Sequence, residues 1–156
     1  MPAPSTNSIV SNSKPPFHKQ ETLYSCVPAC LRIVFAAYNV DVLEADLRAA
    51  CDCTLAATDS LQAVDAARSH GFKRSARYTL TLDELTALVE GGSYPIVYVS
   101  LKPIDGVRDT HALVVIETSE QNVTVYDPLQ GERILPRQTF STAWALRHNL
   151  TIIIQQ

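Results

Sequence analysis

Residues 26–38 read CVPACLRIVFAAY, and this stretch decides the first half of the fold. Its apolar side chains recur at helical spacing, and a proline in the first turn of a helix costs no hydrogen bond. The pattern therefore predicts a buried helix with Cys26 at its N-terminus. Unpaired backbone N–H groups and the positive end of the helix dipole meet at such a position, and both favour a thiolate over a thiol. Cys26 is therefore a candidate nucleophile.

Further helices are predicted outward from this one, followed by strands. The helices are expected over residues 43–50, 61–70 and 82–90, with Thr58, Asp59 or Ser60 capping the second and a Thr81/Glu84 capping box on the third. The hydrophobic period then changes to that of strands over residues 94–101, 111–118, 122–126, 133–135 and 150–154, interrupted by a short helix over 138–147. Helices followed by strands that short turns connect are typical of an α+β domain, with N-terminal helices packed on a C-terminal antiparallel sheet.

The chain has the size and composition of one compact domain. It has 156 residues, of which 46% are hydrophobic, enough to bury a core without covalent crosslinks. Residues 1–16 are rich in Pro, Ser and Asn and are interpreted as a flexible arm, so the folded domain is expected to span residues 17–156.

Charge and composition exclude several classes of partner. The formal net charge is -3, and the basic residues are scattered, so we expect no nucleic-acid partner. One loose basic group follows the expected helix end at Gly71 and is interpreted as a solvated turn; it comprises Arg68, Lys73, Arg74 and Arg77. No stretch approaches the ~18 continuous apolar residues that span a bilayer, so neither a membrane segment nor a signal peptide is expected.

The four cysteines, Cys26, Cys30, Cys51 and Cys53, are too few and too locally paired for the disulfide framework of a secreted protein. Their spacing also does not match a zinc site, so no metal is expected. We therefore predict a reducing, cytoplasmic location. Cys30, Cys51 and Cys53 are interpreted as small buried residues.

A thiolate nucleophile needs an imidazole that takes and returns a proton. His18, His70 and His148 lie at an arm, a helix end and a turn, where solvent-facing side chains are expected. His111 instead opens a strongly apolar strand directly after a polar loop, where it can be held rigidly and still reach a cleft. The neighbouring strand ends at Asp127, which can orient the imidazole or simply start the turn before a proline. Together with Cys26 and His111, the orienting role is favoured.

At this point the sequence resembles a known family, the papain-like peptidases that process bacteriocin precursors by cutting a leader after a double glycine. The matching pieces span residues 20–147 and are Gln20 six positions before Cys26, the block 25–31, Gly71-Phe72, Tyr94-Pro95-Ile96, the block 111–115, the block 127–131, and Phe140 with Trp144. The resemblance implies a papain-like fold. It also implies that Cys26 attacks the scissile carbonyl, His111 acts as base and then acid, Asp127 orients His111, and Gln20 donates to the oxyanion. No cofactor is needed for this chemistry.

This chain departs from the family where Ser25 and Val27 replace an acidic residue and a glycine beside the nucleophile. We expect Val27, a branched side chain close to the nucleophile, to narrow the cleft or to change which acyl groups fit. The partner is expected to be a polypeptide with a Gly-Gly site, either a leader-bearing precursor or a protein of a target cell. In the second case the domain would be a toxin or effector delivered into that cell, with an immunity protein as inhibitor. The alternatives are a peptide-binding module without activity, and an amidase or deamidase that uses the same residues.

Overall fold

The computed structural model describes residues 14–51 and 59–156, which form six helices and six strands. The helices are α1 Cys26–Ala37, α2 Glu44–Ala50, α3 Ser60–Ser69, α4 Leu82–Glu90, α5 Lys102–Asp105 and α6 Arg137–Ala145. The strands are β1 Ala76–Thr79, β2 Ile96–Ser100, β3 Thr110–Thr118, β4 Asn122–Asp127, β5 Gly131–Pro136 and β6 Leu150–Ile153. Cys26 begins α1, as predicted.

The six described strands form one sheet in the order β1-β6-β2-β3-β4-β5, and every neighbouring pair is antiparallel. Strands β2 and β3 lie in the middle, which explains their apolar runs at residues 96–99 and 112–116, and all five residues of β2 are buried. The α+β class and the antiparallel sheet predicted from the sequence are confirmed.

Helices cover both faces of the sheet. Alternate strand residues such as Tyr98 and Val114 pack in one apolar cluster with α1, α2 and α3. Their neighbours Val97 and Leu113 pack in a second cluster with α4 and α6, where Trp144 is fully buried. Because side chains alternate between the two faces of a strand, each strand contributes to two apolar clusters, one on each face of the sheet. The first cluster anchors the helix that carries Cys26.

Two elements were not predicted. Residues 76–79, assigned to a solvated turn, form β1 and pair with β6 along its length. Arg77 remains exposed there, because only alternate residues of this edge strand face the protein. The polar loop before His111 also contains the short helix α5, which ends at Gly106 in the left-handed conformation, with φ 73°. Both elements depend on long-range packing that a local pattern does not contain.

The helix caps follow the predicted chemistry. Asp59 caps α3 through a capping box with Gln62, and Thr81 and Glu84 form the predicted box on α4. Thr58 and Cys53 lie outside the described residues, whereas Cys51 is buried at the end of α2.

The predicted arm lies mostly outside the described residues, since only residues 14–16 of it are described. There, Pro15 is buried and its carbonyl accepts a hydrogen bond of 2.9 Å from the Tyr126 hydroxyl, while Lys14 pairs with Glu132 at 2.7 Å. In the described ranges, none of the helices has both the length and the apolar character needed to cross a membrane.

Candidate active site

Cys26 is the first residue of α1, and hydrogen bonds within the preceding loop hold that loop in place. The Ser25 hydroxyl accepts a hydrogen bond from Thr22 N at 3.0 Å and donates to Thr22 O at 3.2 Å. Ser25 is therefore not used as a side-chain cap of α1. Pro28, the third residue of the helix, has no N–H to offer. The backbone N–H groups of Cys26 and Val27 are thus left without a side-chain cap beside the sulfur.

His111 and Asp127 meet across the β3/β4 pair. Val114 lies opposite Tyr126, and extending this register makes His111 a diagonal neighbour of Asp127 on the same face of the sheet. His111 Nε2 lies 2.7 Å from Asp127 Oδ1, and both residues are buried, with exposed fractions of 7% and 1%. A carboxylate can only accept, so Nε2 carries the proton of this bond. The other ring nitrogen, Nδ1, is therefore the one available to Cys26, whose side chain is among the groups that raise the pKa of His111.

The Asp127 carboxylate is held by several donors besides His111. Oδ1 also accepts from Leu129 N at 2.9 Å and from Gln130 N at 3.3 Å, and Oδ2 accepts from Arg133 Nη1 at 3.2 Å. Burial alone would raise the pKa of Asp127, but the hydrogen bonds from His111, Leu129 and Arg133 outweigh it and lower the pKa below its ordinary value. Asp127 is therefore a buried carboxylate that stays ionised.

Burial acts on His111 in the opposite sense. It disfavours the charged ring, but the hydrogen bonds to Asp127 and Cys26 and the negative charges of both partners outweigh it and raise the pKa of His111 to about 9. At neutral pH the ring is therefore an imidazolium. An imidazolium hydrogen-bonded to a cysteine sulfur favours the nucleophilic thiolate.

Gln20 lies on the segment that precedes the Cys26 loop, and hydrogen bonds hold both its backbone and its side chain. Its backbone N–H donates at 2.7 Å to the carbonyl of Pro128, the residue that follows Asp127. Its side-chain Nε2 donates at 2.7 Å to the carbonyl of Thr22. Gln20 is 6% exposed. An amide nitrogen has two N–H donors, so one remains for a further acceptor. The structure thus ties the Gln20 segment to both the Cys26 loop and the Asp127 turn.

A buried charge that sequence reasoning missed supports this segment. Glu44, on α2, is 1% exposed and accepts from Glu21 N with both carboxylate oxygens, at 2.9 and 3.2 Å. Arg48, one turn further along α2, pairs with Glu44 and with Glu21. The i, i+4 spacing of Glu44 and Arg48 was the available signal, but it is equally typical of an exposed helix pair.

The remaining cysteines and histidines are placed away from this chemistry. Burial raises the pKa of Cys30 well above its ordinary value, with the charges of Cys26 and Asp127 adding to it, so Cys30 is an inert thiol. His148 is exposed, as predicted, whereas His18 and His70 are half-buried. His70 bonds the Ala66 carbonyl at the end of its own helix, at 2.9 Å from Nδ1.

The Val27 side chain does not narrow the cleft, contrary to our expectation. It is 1% exposed and packs in the core cluster beneath α1, so a substrate has no access to it. Ser25 is likewise fully buried and bonds its own loop. Both departures from the family pattern are therefore accommodated inside the domain.

A fold of helices on both faces of an antiparallel sheet, with a cysteine at a helix N-terminus beside a His–Asp pair, is that of a papain-like cysteine peptidase. The model of the peptidase C39 family matches residues 14–155, and the chain belongs to this family. The family resemblance drawn from the sequence is thereby confirmed. Among curated proteins, none matches the chain.

Solved structures share the fold at low sequence identity. One is a double glycine motif protease from an AMS/PCAT transporter, in complex with its leader peptide: 20% identity over 90% of each chain, TM-score 0.73. Another is the peptidase domain of Streptococcus ComA, a bifunctional ABC transporter: 24% identity over 89% of this chain and 97% of that one, TM-score 0.75. A C39-like peptidase from Bacillus anthracis is 14% identical over 95% and 98%, TM-score 0.75.

Proposed function

We propose that this protein is an endopeptidase that cleaves polypeptides after a Gly-Gly pair, with Cys26 as nucleophile, His111 as base and acid, Asp127 as orienting residue and Gln20 as oxyanion donor. The observation that carries the proposal is the buried hydrogen bond of 2.7 Å between His111 and Asp127, and Cys26 at the start of α1 is among the groups that raise the pKa of His111. Such a set of nucleophile, base and orienting group is the recurring arrangement of covalent acyl transfer.

The reaction proceeds in two halves. The Cys26 thiolate attacks the carbonyl carbon, a C–S bond forms, and one C=O electron pair moves onto the oxygen. When the tetrahedral adduct collapses, the C–N bond breaks and His111 gives the proton on Nδ1 to the leaving amine. Water then attacks the thioester while His111 takes its proton, and the acid product leaves with the Cys26 thiolate restored.

The oxyanion of each tetrahedral adduct needs donors that are already in place. Gln20 Nε2 retains one N–H beyond its bond to Thr22 O, and the backbone N–H of Cys26 at the start of α1 is a second donor. The ties of the Gln20 segment to Pro128 and Glu44 keep the donor preorganised, which matters because a donor that must reorganise stabilises the transition state less.

We expect apolar side chains of the substrate to contact exposed apolar residues that are close in sequence to the proposed catalytic residues. Three exposed apolar side chains lie within four residues of a proposed catalytic residue: Leu23, which is 86% exposed, Val107 and Leu129. A relative with the same fold is a double glycine motif protease crystallised with its leader peptide, which supports a leader-bearing precursor as the substrate.

The test uses two synthetic precursors that differ only at the cut site, one with Gly-Gly and one with Ala-Ala. The protein is incubated with each under reductant and a metal chelator, and new termini are read by mass spectrometry. We expect cleavage after Gly-Gly alone, abolished by prior alkylation with iodoacetamide. Equal cleavage of both peptides would contradict the specificity, and no cleavage would favour a binding module or an amidase.

A whole-cell lysate is a second substrate that separates the two roles of such a peptidase. Cleavage of the leader peptide with the lysate proteins left intact supports precursor processing in the cytoplasm. Cleavage of folded lysate proteins after accessible Gly-Gly sites would instead support a toxin or effector, for which an immunity protein covering the cleft is the expected partner.

Gln20→Ala is expected to lower kcat by about 100-fold or more with KM little changed, because the donor acts mainly in the transition state. Gln121→Ala removes the same side chain from an exposed position and is the matched control. Steady-state kinetics on the Gly-Gly peptide measures both. An increase in KM with kcat unchanged would show that Gln20 binds substrate and does not stabilise the oxyanion.

A further inference from the structure

Arg133 on β5 contacts the Asp127 carboxylate from the side opposite His111. Asp127 lies opposite Gly131 in the β4/β5 register, so Arg133 is its diagonal neighbour, just as His111 is on β3. His111, Asp127 and Arg133 therefore form a row across three strands. Oδ1 of Asp127 accepts a hydrogen bond from the His111 imidazole, and Oδ2 accepts one from Arg133 Nη1 at 3.2 Å.

Arg133 is in turn held by a residue from a different part of the fold. Its Nη1 and Nη2 donate to the two carboxylate oxygens of Asp105, the last residue of α5, at 3.0 and 2.7 Å. A bidentate contact of this kind fixes the plane of the guanidinium as well as its position. The strand-edge arginine, only 24% exposed, is thereby kept over Asp127 and does not extend into solvent.

The charges along this row balance. Asp105 and Asp127 are negative, and Arg133 and the protonated His111 are positive. The hydrogen bond from Arg133 and its charge lower the pKa of Asp105, and Arg133 is also among the groups that lower the pKa of Asp127. A buried carboxylate with both oxygens bonded has one preferred rotation about its terminal torsion, which otherwise is broad.

We propose that Arg133, held in place by Asp105, is a positioning residue for the reaction: it fixes the Asp127 carboxylate so that Oδ1 stays aimed at His111. This inference rests on the proposed function. The competing interpretation is a partly exposed salt bridge that contributes about 0 to 1 kcal/mol to stability and nothing to catalysis.

The direction in which His111 titrates separates positioning from a simple charge effect. The titratable or charged groups around His111 are Cys26 on α1, Asp127 on β4, Asp105 on α5 and, bonded to the other oxygen of Asp127, Arg133 on β5. Loss of the Arg133 charge alone removes a repulsion and would raise the pKa of His111. Loss of the Asp127 orientation instead weakens the 2.7 Å bond and lowers it.

The experiment compares Arg133→Met with wild type, and uses Arg137→Met as the matched control, because the Arg137 side chain donates to the Ser119 carbonyl at 2.9 Å and not to the Asp127 carboxylate. For Arg133→Met we expect kcat to fall by about 10- to 100-fold with KM little changed. We also expect the His111 titration, followed by NMR of the imidazole nitrogens, to move down by about one pH unit. Arg137→Met should change neither.

Asp105→Asn tests the same row with a smaller change at an exposed position, where we expect little effect on folding. It should lower kcat by about 3- to 10-fold. The double variant Asp105→Asn with Arg133→Met should be no slower than Arg133→Met alone, since Asp105 acts through Arg133. Additive losses would overturn this order of action.

Unchanged kcat and an unchanged or raised His111 titration in Arg133→Met would overturn the inference. The titration needs no substrate, so it also separates the two proposals. A downward shift of the His111 titration in a protein that cleaves no Gly-Gly peptide would support the positioning role and contradict the proposed function. Cleavage of the peptide without a shift would support the proposed function and contradict the positioning role.

Discussion

Cys26→Ala is expected to abolish cleavage of the Gly-Gly peptide while leaving the fold intact. In the proposed mechanism the acyl-enzyme forms through the Cys26 sulfur, and the methyl group of alanine has no lone pair to attack a carbonyl. The substitution removes one atom at the start of α1, from a side chain at the border of the core with 9% exposure. Activity is measured by mass spectrometry of the products, and folding by circular dichroism and thermal unfolding.

Cys30→Ala is the matched control, since it makes the same change one turn further along the same helix. Cys30 is fully buried, and burial raises the pKa of its thiol, so it contributes packing and not reactivity. We expect a loss of about 1 kcal/mol in the free energy of unfolding and kcat within about 2-fold of wild type. Loss of activity in Cys30→Ala with retention in Cys26→Ala would show that the nucleophile is assigned one turn out of register.

His111→Asn is expected to lower kcat by about 100- to 10,000-fold, the usual contribution of a positioned general acid and base. Asparagine is close in size to the imidazole but cannot exchange a proton with the sulfur or the leaving amine. His148→Asn is the control: it removes the same side chain from an exposed position with φ 59°, a conformation that asparagine tolerates. Equal losses in both variants would mean that the effect is on folding.

The wild-type pH profile should carry the signature of His111. Because its pKa is raised to about 9, the imidazolium that protonates the leaving amine is lost only as pH rises through that value, so kcat should fall on the alkaline side of about pH 9. An alkaline limb near 6.5, the ordinary value for histidine, would contradict the bond to Asp127.

The free energy of unfolding should also decrease as pH rises, because of the raised pKa of His111. A group whose pKa is higher in the folded than in the unfolded protein stabilises the fold fully below its unfolded value and loses that contribution as pH rises through its folded value. For His111 this window runs from 6.5 to about 9. The urea midpoint should therefore fall more steeply across it in wild type than in His111→Asn, and parallel curves would contradict the shift.

Much of the fold was predictable because the relevant signals are local. The helix after Cys26, the capping box of Thr81 with Glu84, and the change from helical to strand period depend on neighbours within one segment. The ends of elements were less predictable: β2 begins at Ile96, two residues after the predicted start, and α6 covers 137–145 where 138–147 was predicted. Helix and strand ends depend on which groups meet them in space.

In the candidate site, too, some residues were predictable from local signals and others were not. Cys26, His111 and Asp127 could be singled out because each lies where an apolar element meets a polar turn, and the family resemblance added Gln20. Arg133 and Glu44 carried no such signal. An arginine on an edge strand and a glutamate paired with an arginine one turn away are normally solvated, and only their tertiary contacts distinguish them.

By itself, therefore, the sequence determined the α+β class, the helix that begins at Cys26, and the residue types of a cysteine peptidase. These follow from periodicity and from residues at the ends of elements, which act over a few positions. Only the tertiary structure decided that β1 completes the sheet beside β6, that Glu44 holds the Gln20 segment, and that Asp105 holds Arg133 over Asp127. Asp105 and Arg133 are 28 residues apart, on α5 and β5, so no local pattern in the sequence could reveal their contact.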